Sequence, residues 1–173
     1  EEGYHFGEDI TDKAIEFIRD AKVIDPDKPF FMYFAPEAGH APHLAPQEWI
    51  DRYKGRFDAG WDALREEILA RQKELGIVPP DTELTPRHAE IPAWEDMPEQ
   101  MKPVLARQME VYAGFLEHTD HHVGRLVDAL EDLGVLEDFP STKLPGFTDA
   151  LVALLPTLEA HACSLGRRGG FIT

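Results

Sequence analysis

The feature that most constrains the fold of this 173-residue chain is a long amphipathic stretch that begins at Lys102. Its apolar residues recur at helical spacing and form one stripe, which stops at Gly134, a residue type common just after a helix C-terminus. The stripe contains Val104, Val111, Tyr112, Phe115, Val123, Leu126, Val127 and Leu130. This pattern predicts one continuous helix over about residues 102–133.

Two elements are predicted near the N-terminus. Apolar residues at helical spacing between Glu8 and Lys22 predict a helix with one core face. The run Pro29–Ala35 is short and continuously apolar, which is typical of a strand covered on both faces. A helix followed by a buried strand at 29–35 predicts the α/β fold class.

The middle of the chain is predicted to be helical and then irregular. Residues 47–53 form a short helix behind Pro46, and a longer helix begins near Trp61 and ends at Gly76. Residues 77–98 contain five prolines and little periodicity, so we expect a surface excursion there.

The charge balance bears on possible partners. Acidic residues number 33 against 17 basic ones, a formal net charge of −16, which argues against nucleic acid as a partner. We find no leader sequence and no membrane span, although an internal excerpt of a longer protein would look the same. The single cysteine, Cys163, leaves the cellular compartment open.

His40 is the first candidate site residue. It follows the apolar run, in the position where open α/β sheets place ligands beyond their strand ends. Pro36, Pro42 and Pro46 restrict the surrounding loop, which would orient an imidazole toward an anionic oxygen. The alternative is that His40 and His43 make only backbone hydrogen bonds.

A second histidine group lies on the long helix. His118, His121 and His122 have the spacing that places side chains on one helix face, which suits a metal site. No cysteine or carboxylate cluster elsewhere has matching ligand spacing, and the neighbouring acids suit a solvated or capping network equally well. We therefore assign no metal ligands.

Three segments together resemble a known family. They are GYHFGEDITDKAIEFI, KPFFMYFAPEAGHAPHLAPQEWIDRYKGRFDAGWD and RQMEVYAGFLEHTDHHVGRLVDALEDLGVL. In this order they resemble the middle of a bacterial arylsulfatase of the alkaline phosphatase superfamily, over about residues 3–138. The resemblance implies a large α/β sandwich on a mostly parallel sheet, in a bacterial protein of the periplasm or cytoplasm.

The same resemblance implies a chemistry. Such enzymes hydrolyse small-molecule sulfate monoesters with a formylglycine, made from cysteine or serine, and a calcium ion. By its place in HAPHLAP, His40 would be the catalytic and substrate-binding histidine that hydrogen-bonds the sulfate ester. No role is carried onto His43, where the family varies.

Most of the family's active site is missing from these residues. The nucleophile signature Cys-x-Pro-x-Arg, the paired calcium aspartates, the Lys-x-His element and the Asp-Asn pair do not occur. Cys163 and Arg167 have the signature's spacing, but Leu165 stands where proline belongs. We interpret this match as chance.

The composition changes after Asp138. Residues 139–173 carry three basic and two acidic residues, against the strong acidity before them. We therefore expect a partial sulfatase catalytic domain at 1–138 and a divergent tail at 139–173, produced by a frameshifted or recombined reading.

The leading hypothesis is an arylsulfatase-type fragment that is inactive alone. A phosphatase or phosphodiesterase of the same superfamily is the nearest alternative, since sulfate and phosphate esters present similar oxyanions. A non-catalytic acidic interaction module is the alternative from another class. The sequence leaves the oligomeric state undecided.

Overall fold

The computed structural model describes residues 3–136, which contain four helices. They are α1 (Phe6–Ile24), α2 (Gln47–Asp51), α3 (Gly60–Glu74) and α4 (Lys102–Asp132). The predicted long helix is confirmed as the single helix α4. It ends before Gly134, whose φ of +69° is the left-handed conformation that glycine adopts without strain.

Helix α1 has clear sequence signals at both ends. The His5 side chain caps its N-terminus, because Nδ1 accepts a hydrogen bond of 3.1 Å from the Gly7 backbone N–H. Glu8 and Asp9 lie in the first turn and Lys22 in the last, as the helix dipole favours. The helix extends two residues beyond the predicted bounds at each end.

The C-terminal half of α4 packs against α1. Ile18 of α1 and Leu130 of α4 are almost fully buried in this interface. The buried cluster comprises Ala14, Ile15, Ile18, Leu126, Ala129, Leu130 and Leu136. Burial of each isoleucine or leucine side chain stabilises the packing of α1 on α4 by about 1.5–3 kcal/mol.

The N-terminal half of α4 carries a second core. This cluster comprises Tyr53, Phe57, Trp94, Ala106, Ala113 and Leu116. Residues 77–98 form the expected irregular and largely exposed excursion, yet Trp94 is buried and packs edge-on against Trp61 at 4.8 Å. The excursion therefore contributes one large side chain to the core.

The predicted α/β fold class is wrong for the residues that the structure describes. No strand or sheet occurs between residues 3 and 136, and 29–35 is an extended segment. Phe30, Met32 and Phe34 pack against the α1/α4 cluster, whereas Phe31 and Tyr33 are 91% and 85% exposed. The run is thus covered on one face by helices, not on both, and no neighbouring strand in this region makes it part of a sheet.

Within residues 3–136, none of the helices combines the length and apolar character needed to cross a membrane.

Candidate functional site

His40 lies in a tight turn of the loop between the extended segment and α2. Its backbone N–H donates to the Glu37 carbonyl oxygen at 3.1 Å, and Gly39 before it has φ +91°. The ring is exposed, and Nδ1 is 2.6 Å from the Ala41 carbonyl oxygen. Because a carbonyl only accepts, Nδ1 carries a proton and Nε2 is the nitrogen open to a ligand.

His43 has a packing contact that His40 lacks. Its ring lies edge-on to Tyr112 at 4.9 Å and 5.9 Å from the ring of Phe115. An open groove of about 920 Å³ adjoins it on α4. Pro103, Val104, Met109 and Val111 are among the residues that line the groove. The loop therefore presents one exposed imidazole, that of His40, and one packed against the long helix, that of His43.

The helix histidines form a buried group with His5. His118 is 2% exposed, and its Nε2 lies 3.0 Å from Nε2 of His122. The centre of the His118 ring is 4.2 Å from that of the His5 ring. It is 5.3 Å from the ring of Trp49 in α2. His121, on the exposed side of α4, has its ring 5.2 Å from that of Trp49 and tilted by 43° to it. Sequence spacing grouped the three helix residues, but His5 joins them only through the packing of α1.

Burial controls the protonation of this group. It lowers the pKa of His118 to about 3 and the pKa of His122 to about 4, with neighbouring cationic groups adding to the effect. Both rings are therefore neutral at pH 7. The carboxyl of Asp120 shifts the other way: burial, and then repulsion from Glu117, raise its pKa to about 6.

Two glutamates of α4 are buried, although the acids were expected to be solvated. Glu110 accepts hydrogen bonds from the Gly55 N–H at 2.7 Å and from Arg107 at 2.6 Å. Glu117 accepts from Arg52 at 2.9 Å, and Arg52 lies 3.7 Å over the Trp49 ring. Both carboxylates hold the chain that follows α2 against α4. The sequence carries no signal for these two contacts, because Arg52 and Gly55 are 65 and 55 positions away from their glutamates.

The donors present do not fit a metal ion in residues 3–136. No group of three or more His, Cys, Asp or Glu side chains there is arranged to hold one. In the histidine group, the two facing nitrogens of His118 and His122 bond each other. Cys163, Arg167 and the predicted tail lie outside the described residues.

Comparisons with known proteins show the family to which the main part of the chain belongs. The Sulfatase family model matches residues 1–139. An arylsulfatase of Klebsiella aerogenes is 34% identical over 88% of this chain, and an uncharacterized sulfatase of Schizosaccharomyces pombe is 34% identical over 72%. The chain belongs to the sulfatase family. It spans 34% and 23%, respectively, of the lengths of these relatives.

The end of the chain is similar to a different family. The model named Cyanophycin synthase-like N-terminal domain matches residues 129–173 and overlaps the sulfatase match at residues 129–139. A cyanophycin synthetase of Crocosphaera subtropica is 56% identical over 41 residues, which are 24% of this chain and 5% of that protein.

Proposed function

We propose that residues 1–138 are part of a sulfuric ester hydrolase of the arylsulfatase type, and that this chain has no turnover by itself. The observation that carries the proposal is the 34% identity to an arylsulfatase over 88% of the chain. The proposed substrate is a small-molecule sulfate ester, by analogy with that relative's name.

In this proposal His40 contacts the sulfate group. The proton on Nδ1 is engaged by Ala41, so neutral His40 presents a lone pair at Nε2. A lone pair repels an anionic oxygen, whereas a second proton on Nε2 would make a charge-assisted hydrogen bond to it. His40 therefore meets the ester through Nε2, the ring nitrogen that the Ala41 carbonyl leaves open.

We propose that the calcium ligands and the formylglycine of a complete enzyme are not among these residues. Calcium needs six or more oxygen ligands, many of them carboxylates, and in residues 3–136 no three His, Cys, Asp or Glu side chains are grouped to hold an ion. The formylglycine precursor motif is not in the sequence. A catalytic constellation acts as a unit, so His40 without these groups is insufficient for turnover.

For the tail, we propose that the chain joins a sulfatase segment to a segment like the N-terminal region of a cyanophycin synthetase. A shifted reading frame would produce residues without similarity to another family. The family match over residues 129–173, together with the 56% identity over 41 residues, therefore supports recombination over a frameshift as the origin of the tail.

The activity test is release of p-nitrophenol from p-nitrophenyl sulfate by the purified 173-residue chain, with and without calcium. We expect none above the rate without protein. Turnover would overturn the proposal of inactivity. Its loss in Cys163→Ala would then show that the tail supplies a nucleophile, and its loss only in His40→Ala would show a more complete site.

The role of His40 is tested by binding. Nitrogen-15 spectra of the histidine rings are recorded while p-nitrophenyl sulfate, p-nitrophenyl phosphate or p-nitrophenol is added. We expect His40 to shift with the sulfate ester and exposed His88 to stay unchanged. A response to phosphate alone favours the phosphatase alternative, and no response to either ester contradicts the role of His40.

A further inference from the structure

A continuous line of side chains runs from the surface of α1 into the interior beneath α4. It consists of Asp12, Arg125, His122 and His118. Arg125 pairs with Asp12 on α1 and reaches Nδ1 of His122 at 2.9 Å. His122 in turn contacts His118, and the outer end opens into a charged cleft of about 470 Å³.

The donors in this line fix the position of every proton. A guanidinium only donates, so Nδ1 of His122 accepts and the proton of that neutral ring is on Nε2. That N–H donates to His118, whose Nε2 must therefore be the acceptor. The proton of His118 is then on Nδ1, a buried atom without a hydrogen-bond partner among the described residues.

The same bonds block further protonation. The lone pair of His122 is occupied by Arg125, and the lone pair of His118 is occupied by His122. An added proton on either ring would have to break one of these hydrogen bonds. It would also place two N–H donors face to face in a buried space, which is costly.

The groups around the rings offer little compensation for a positive charge. Those facing or influencing the two histidines are His5 and Asp12 of α1, Glu37 of the loop near His5, Trp49 of α2 and Arg52 after it, and Glu117, His121 and Arg125 of α4. His5 uses both ring nitrogens, accepting from Gly7 and contacting the Leu44 carbonyl oxygen at 3.0 Å. Asp12 and Glu117 are already engaged by arginines.

We propose that this line is an acid-sensitive clasp: its neutral, tautomer-fixed histidines hold α1 against α4, and protonation opens the contact. The clasp joins α1 at two points, through Asp12 and through the packing of the cap residue His5 on His118. This inference does not depend on the proposed sulfatase function.

The direction of the pH effect follows from the lowered pKa values of the two rings. Unfolded histidine binds a proton below pH 6.5, whereas folded His118 and His122 do so only near pH 3 and 4. The unfolded state therefore binds more protons between pH 6.5 and 4, and the clasp's contribution to stability is lost as the pH falls through this range.

The first test reads the tautomers directly. Long-range proton–nitrogen spectra of the histidine rings in the whole chain at pH 7 distinguish Nδ1–H from Nε2–H forms. We expect Nδ1–H on His118 and Nε2–H on His122. The Nε2–H form on His118, or two charged rings, would overturn the proposal even if no variant folded.

The second test measures proton uptake on unfolding, from the pH dependence of urea denaturation near pH 5. His118→Gln and His122→Gln, which cannot be protonated, are each expected to reduce the uptake by about one proton. The matched control is His88→Gln on the exposed excursion, which should leave the proton uptake on unfolding nearly as in the wild type. Equal uptake in the wild type and both helix variants would contradict the clasp.

Discussion

Gly114 of α4 lies directly beneath the backbone of Ile50 in α2. A Cβ atom at position 114 would come within 2.8 Å of both the nitrogen and the Cα of Ile50, and a backbone cannot move aside as a flexible side chain can. We therefore expect Gly114→Ala to destabilise the protein by about 1–3 kcal/mol, despite the better helix propensity of alanine. Urea denaturation followed by circular dichroism measures this loss. Gln108→Ala, at an exposed position of α4, should change stability by no more than about 0.5 kcal/mol.

Glu110 is expected to matter far more than a surface glutamate. Glu110→Ala removes the acceptor of the Gly55 N–H and the partner of Arg107, so we expect a loss of about 1–3 kcal/mol of unfolding free energy. The control is Glu99→Ala, which removes only an exposed pair with Lys102 and should be nearly neutral. If Glu110→Ala and Glu99→Ala lost similar amounts of unfolding free energy, the buried hydrogen bonds of Glu110 would make no special contribution to stability.

Asp120 should destabilise the folded chain at neutral pH. Its folded pKa of about 6 exceeds the ordinary 3.8, so the folded state binds more protons and stability falls as the pH rises through this window. Asp120→Asn removes this effect, and we expect it to stabilise the protein at pH 7 by about 1–2 kcal/mol, allowing for partial solvent screening. The gain should vanish at pH 4. A gain that is independent of pH would contradict the assignment.

The outward face of 29–35 is expected to promote self-association. Phe31 and Tyr33 are large, apolar and almost fully exposed on an extended segment, a combination that favours edge-to-edge pairing and aggregation. In analytical ultracentrifugation, the double variant Phe31→Ser/Tyr33→Ser should remain monomeric at higher protein concentrations than the wild type does. Leu44→Ser/Ile91→Ser, which removes exposed apolar residues from loops, serves as the control. Equal association in both variants would contradict the prediction.

The sequence was sufficient to predict those elements whose structure depends on residues close together in the chain. All four helices could be predicted, and α4 almost to its last residue, because helical hydrogen bonds and an apolar stripe depend on residues three or four positions apart. The position of His40 in a loop was also predictable from the prolines around it. Its proposed contact with sulfate stays a prediction.

Residues 29–35 show where such reasoning fails. Their apolar run predicted burial on both faces, but it cannot specify which elements cover them. In the described residues, α1 and α4 cover only Phe30, Met32 and Phe34. The family, by contrast, was recognisable from motif order, and the matched sulfatase model supports that recognition.

The sequence by itself therefore determined the helices, the sulfatase family and the change of character near Asp138. Only the tertiary structure decided which polar groups far apart in the chain contact each other. It brought His5 against His118, Arg125 to Asp12 and Glu110 to Gly55, pairs separated by 55 to 113 positions in the chain. The physical reason is that burial and proton position depend on distance in space, which packing sets and periodicity along the chain does not encode.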